Sequence, residues 1–199
     1  MRKITINLAA VAAFCIVVAS PALVSSSCAT PKTEQEDTTI IREDSGITAL
    51  KYSSPEVPAS IEFCGKTIDL SRFDRHERMD RELLAFTYMH STSLQMLKKA
   101  NRYFPIVEPI LKENGIPDDF KYLMVIESNM NPTARSSAGA AGLWQFMQGT
   151  GRDYGLEVNN NVDERYHIEK ATRAACRYLK DAYAKYKDWV AVAASYNAG

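Results

Sequence analysis

The sequence predicts a mainly α-helical protein, on three observations. From about Arg72 onward, apolar residues recur every three or four positions. Proline, glycine and acidic residues punctuate that pattern where helices would start and stop. No convincing strand pair stands out, so no sheet is expected.

Taken in order, the first 27 residues read as an export signal. Met1-Arg2-Lys3 is a short positive region, Ile4 to Val18 is apolar, and small residues run from Ser20 to Cys28. The apolar run is short for a spanning helix, which needs about 20 residues. Cys28, after small residues, suggests a lipoprotein whose mature end is a lipidated cysteine, although Ser25 stands where an aliphatic residue is usual. Ordinary cleavage near Ala22 or Ser26 is the alternative. Residues 28–60 are rich in Thr, Ser, Glu, Asp and Pro without apolar periodicity, and read as a flexible tether.

The folded domain is then expected over 61–199. Met79, Leu83, Leu84, Phe86 and Thr87, followed by Leu94, Leu97 and Ala100, predict helix. Pro105 is placed to open a helix and Gly115 to end it. Pro117-Asp118-Asp119 starts another, with acids in its first turn. That helix carries Phe120, Leu123, Met124 and Ile126 and ends at Glu127. A loop from Asn129 to Gly142 follows, broken by Pro132 and Gly139, where glycines permit turns or close backbone approach. A short helix from Leu143 is expected to hold Trp144, Phe146 and Met147. Ile168 to Tyr186 reads as a long amphipathic helix, and a last helix starts near Asp188.

Composition narrows the function classes. Of 199 residues, 46% are apolar and 24% charged, with no net charge. That is ordinary for a soluble globular domain and gives no electrostatic reason for nucleic-acid binding. His76, His90 and His167 are scattered, and no Cys or His pair has metal-ligand spacing, so no metal is expected. No phosphate loop or nucleophile elbow points to a cofactor. Cys64 and Cys176 could pair or stay free, and the sequence leaves both open.

Glu127 is the candidate catalyst. It follows the apolar stretch Tyr122-Leu123-Met124-Val125-Ile126 at a helix end. Desolvation and the negative end of the helix dipole both disfavour its charged form. A carboxyl still protonated near neutral pH can donate to a leaving glycosidic oxygen. By position alone, a solvent-facing glutamate is the commoner case.

The neighbouring motifs reverse that preference. Glu127-Ser128 is followed by Asn131-Pro132, then by Ser136-Ser137-Ala138-Gly139-Ala140-Ala141-Gly142-Leu143-Trp144-Gln145-Phe146-Met147, and finally by Ala194-Ser195-Tyr196-Asn197-Ala198-Gly199. With Ala100-Asn101-Arg102-Tyr103-Phe104 and Asp163-Glu164-Arg165-Tyr166-His167, this set over roughly residues 70–199 resembles the lytic transglycosylases of the lysozyme-like superfamily, in particular the membrane-bound type D branch.

The resemblance implies that Glu127 is a single general acid and base. It would cut the β-1,4 bond between N-acetylmuramic acid and N-acetylglucosamine in peptidoglycan strands, leaving a 1,6-anhydro ring. It implies substrate contacts at Ser128, Ser136, Gln145, Met147, Tyr196 and Asn197, with Tyr196 near the acid. Trp144 and Phe146 are read as core. Asp153, Glu157, Asp163 and Glu164 are read as solvated or capping rather than as a second catalytic carboxylate. Related domains continue past the third motif, so this one is expected to be C-terminally truncated, with Tyr196 near a frayed end. With the signal and Cys28, the resemblance implies an exported, periplasmic protein lipid-anchored to the outer membrane. A lysozyme-like hydrolase and a non-catalytic glycan-binding lipoprotein are the competing readings.

Overall fold

The computed structural model describes residues 55–198, with side chains through Tyr196. The signal segment, Cys28 and most of the tether lie outside the described residues. The fold is mainly helical, as the periodicity predicts.

It opens, however, with a strand pair. β1 (Ser60–Phe63) and β2 (Lys66–Asp69) are antiparallel, with Phe63 opposite Lys66. The two-residue turn places Cys64 at φ 51° and Gly65 at φ 75°, the left-handed pair of a type I′ hairpin. A cysteine is unusual there, and its backbone N–H donates to Asp119 Oδ2 at 2.6 Å. Each strand is only four residues long and Cys-Gly lacks the Asn-Gly signature, so the hairpin has no strong local signal in the sequence. The hairpin is held down by Phe63, fully buried against Phe120 with ring centres 6.4 Å apart. The Lys66–Asp188 ion pair at 2.6 Å ties it to the start of the last helix.

Two helices follow, α1 (Phe73–Tyr88) and α2 (His90–Glu113). Met79 and Leu83 of α1 close a small cluster with Ile61 and Leu70. Pro105 does not open a helix: it and Pro109 lie inside α2. Proline removes a backbone donor and usually breaks a helix. Here Phe104, Val107, Ile110 and Leu111 form one buried stripe across both prolines, and tertiary packing outweighs the lost bonds. Gly115, at φ 66°, ends α2 as predicted, directly after the C-cap Asn114.

The Pro117-Asp118-Asp119 start is observed, but as a 3-10 turn over Asp118–Tyr122 that passes into α3 (Leu123–Ser128). The helix expected from Leu143 is displaced. Leu143–Phe146 is a turn closed by a bridge between Ala141 and Phe146, and α4 is Gln148–Asp153. Gln145 at φ 48° and Gly142 at φ 79° are left-handed and incompatible with helix there. α5 (Ile168–Tyr186) and α6 (Trp189–Ala198) match expectation. His167 Nδ1 caps α5 and Asp188 Oδ1 accepts from Val190 N–H at the start of α6. α5 packs on α2 and α6, burying Ala171, Ala174, Ala175 and Leu179. Val192 and Ala193 seat α6 in the same core. Cys64 and Cys176 are free thiols. Among the described residues, no helix is long and apolar enough to cross a membrane.

Candidate active site

α3 is buried on nearly every side: Leu123, Met124 and Val125 are core residues, and only Ile126 and Glu127 are partly open. Glu127 therefore leaves the core at the last turn of a short apolar helix. Its Oε1 is shut off from solvent. The helix stops because Asn129 and Met130 both turn left-handed, at φ 49° and 51°. Asparagine tolerates that conformation. Met130 is held in it by complete burial and by its N–H donating to Met124 C=O at 3.2 Å.

Ser128, the next residue, is buried, and its hydroxyl lies 2.9 Å from Met124 C=O and 3.1 Å from Leu143 C=O. It shares one proton between two backbone acceptors and so braces the glutamate's helix to the second motif. That placement reads as a support for Glu127 rather than as a sugar contact.

The second motif is a tight double turn. Ser136 N–H donates to Ala140 C=O at 2.9 Å, and Ser136 Oγ accepts from Ala140 N–H at 3.0 Å. Ser136 is exposed, with its hydroxyl directed into its own turn. Ala141 N–H donates to Phe146 C=O and Gly142 N–H to Ala134 C=O. Gln145 lies in this turn and not on a helix; its Nε2 reaches Gly142 C=O at 2.9 Å and Ala134 C=O at 3.3 Å. Met147 precedes α4 and is 45% exposed, an apolar side chain open to solvent. Trp144 and Phe146 are core residues, as predicted. Trp144 Nε1 donates to Thr172 Oγ1 on α5 at 3.0 Å.

The third motif meets the second at Trp144. Tyr196 donates its hydroxyl to Trp144 C=O at 2.8 Å. Its phenol is pushed well above the ordinary tyrosine range, first by burial and then by the negative charge of Glu127. It therefore stays a protonated donor whose environment includes the glutamate. Tyr178 of α5 packs edge-on against Tyr196, with centres 5.2 Å apart, and also meets Tyr154 and Phe146. Tyr196 is thus seated, not frayed. The side chain of Asn197 lies outside the described ones.

The four other carboxylates have separate roles. Asp163 pairs with Arg165 and caps its N–H, and Glu164 pairs with Lys170 and accepts from Glu157 N–H. Glu157 accepts from Asn159 Nδ2, and Asp153 is exposed. Among the described residues, no cluster of three or more His, Cys, Asp or Glu could hold a metal. Thr172 carries no signal in the sequence, and nothing in the stretch 163–167 marks Arg165 as a partner of the second motif. The pairing of Thr172 with Trp144 spans 28 positions, which no local pattern reveals.

Residues 105–199 match the transglycosylase SLT domain family. The chain is 32% identical over 124 residues to the membrane-bound lytic murein transglycosylase D of Escherichia coli (strain K12), covering 62% of this chain and 26% of that protein. The same values hold for the protein of that name from Escherichia coli O6:H1. A protein named for tributyltin chloride resistance, from Alteromonas sp. (strain M-1), is 23% identical over 113 residues, or 56% of this chain and 55% of that one. The chain spans about a quarter of the length of the first two relatives. Residues 105–199 thus match a transglycosylase SLT domain, and it is over that segment that the chain is similar to the family.

Proposed function

We propose that this protein is a peptidoglycan lytic transglycosylase with Glu127 as its one acid–base group. The observation that carries the reading is the setting of Glu127. One carboxyl oxygen is withdrawn from water, the helix below it is apolar, and the adjoining turn is tied to Tyr196 through Trp144 C=O. A carboxyl oxygen shut off from water is placed to hand a proton to a bound glycosidic oxygen rather than to solvent.

The reaction then has two parts. Glu127 donates its proton to the glycosidic oxygen of the departing N-acetylglucosamine as the bond to muramic acid C1 breaks. The substrate's own N-acetyl group stabilises the positive carbon. The carboxylate next takes the proton from the muramic acid 6-hydroxyl as O6 bonds to C1, closing the anhydro ring and restoring the acid. A tethered hydroxyl has a high effective concentration, so no second carboxylate is required to activate water. The engagement of Asp163 and Glu164 in ion pairs of their own supports this single-acid scheme. Met147, exposed beside the second motif, is the residue we assign to the glycan-facing wall.

The relatives' name includes membrane-bound. With the signal-like N-terminus, it supports export to the periplasm and anchoring to the outer membrane through a lipid on Cys28. Radiolabelled fatty acid incorporated by the wild type and lost in Cys28→Ala tests that anchor. The catalytic assignment is tested by mass spectrometry of peptidoglycan digests. Anhydro-muropeptides from the wild type and none from Glu127→Gln support it, whereas reducing-end products indicate a hydrolase.

A further inference from the structure

Arg165 is a charged side chain buried in the described domain, only 5% exposed. Burying a guanidinium is costly unless its donors are satisfied. Here Nε and Nη2 form a fork onto the two oxygens of Asp163, at 2.9 and 2.7 Å. Nη1 donates to Gly139 C=O at 2.8 Å and to Phe146 C=O at 3.0 Å. Those two carbonyls stand at opposite ends of the second motif's tight turn. The backbone of Arg165 is equally close to that turn: a side chain at Gly142 would meet its carbonyl oxygen. Gly151 of α4 lies against its Cγ and Cδ.

The turn held in this way has two acceptors directed at the candidate catalytic groups. Leu143 C=O receives the hydroxyl of Ser128, the neighbour of Glu127. Trp144 C=O receives the hydroxyl of Tyr196. Both acceptors lie between Gly139 and Phe146, the two points that Arg165 fixes.

We propose that Arg165 is the positioning residue of the site, fixing through the 139–146 turn where Glu127 and Tyr196 stand relative to each other. It touches no substrate itself. The inference rests on the reading of Glu127 as the acid. A lysine keeps the charge but lacks the planar fork, so it cannot span Asp163 and two carbonyls together. A displacement of about 1 Å at a catalytic group costs on the order of 100-fold in rate.

The test uses the full chain carrying Arg165→Lys, with wild type and Glu127→Gln beside it. It measures kcat and KM for release of anhydro-muropeptides, and amide hydrogen exchange along the chain. The expected result is a fall in kcat on the order of 100-fold with KM within about threefold. The amides of Ala141 and Gly142 should also exchange faster while those of α5 hold. An unchanged kcat, or exchange accelerated equally everywhere, would overturn the proposal and leave Arg165 a general stabiliser. If the lysine variant does not fold, Asp163→Asn decides. Lower kcat with local loss of protection supports the role, and neither change refutes it. Wild type without anhydro products, or an active Glu127→Gln, would instead break the functional reading, with the exchange data still deciding whether Arg165 holds the turn.

Discussion

Replacing Gly142 with alanine probes how the second motif is packed. A Cβ there would stand 2.0 Å from the carbonyl oxygen of Arg165 and 2.9 Å from its carbon, both rigid backbone atoms. The residue is also left-handed at φ 79°, which costs an L-residue about 1–2 kcal/mol. Relief needs roughly an ångström of movement between two segments that Arg165 joins by hydrogen bonds, a severe overpacking worth about 2–3 kcal/mol more. The total is about 3–5 kcal/mol, at the upper end for a single substitution. In a domain of this size that lowers Tm by roughly 10 °C. Gly139→Ala is the matched control. Gly139 is left-handed too, at φ 90°, but a Cβ there meets nothing within 4 Å. It should cost only the strain, about 1–2 kcal/mol. Thermal and urea unfolding of both variants measure the difference directly. Equal destabilisation would refute the argument, because the contact with Arg165 would then carry no weight.

Other outcomes follow from the same contacts. Tyr196→Phe removes the donor to Trp144 C=O and should destabilise by about 1–2 kcal/mol, read by urea titration, while lowering kcat at least tenfold. Thr172→Val strands the buried indole N–H of Trp144 and should cost about 1–3 kcal/mol in the same titration, without changing KM. Asp163 is held below its ordinary value chiefly by the side-chain hydrogen bond from Arg165. Its folded pKa is depressed, so its stabilisation is fully present above about pH 5 and is lost as pH falls through the ordinary aspartate value near 4 and below. The stability gap between wild type and Asp163→Asn should therefore be flat at neutral pH and narrow on acidification. Burial pushes the Cys176 thiol up to about 11, so alkylation of Cys176 at pH 8 should be slow in the native protein and fast in denaturant.

The helix α5 is legible because its apolar stripe lies within one continuous segment, and α6 because Asp188 marks its start locally. Glu127 is singled out by the motifs around it, because a helix-end glutamate by position alone is more often solvent-facing. What escaped the sequence was set by distance along the chain. Pro105 signals a helix start locally, yet the stripe from Phe104 to Leu111 carries α2 through it. Leu143 to Met147 reads as helix by its spacing, but the left-handed backbone at Gly142 and Gln145 folds it into a turn. Ser128 and Gln145 carry family-like positions, while their partners are backbone carbonyls 15 and 11 residues away. The role of Arg165 depends on Gly139, 26 positions earlier, and periodicity holds no trace of such a pair.

The most direct measurement of the central claim compares peptidoglycan digested by wild type and by Glu127→Gln, resolved by mass spectrometry. The account predicts anhydro-muropeptides from the wild type and none from the variant, with the variant's thermal melt preserved. Anhydro products from a folded Glu127→Gln protein would contradict it, because the proton would then come from another group.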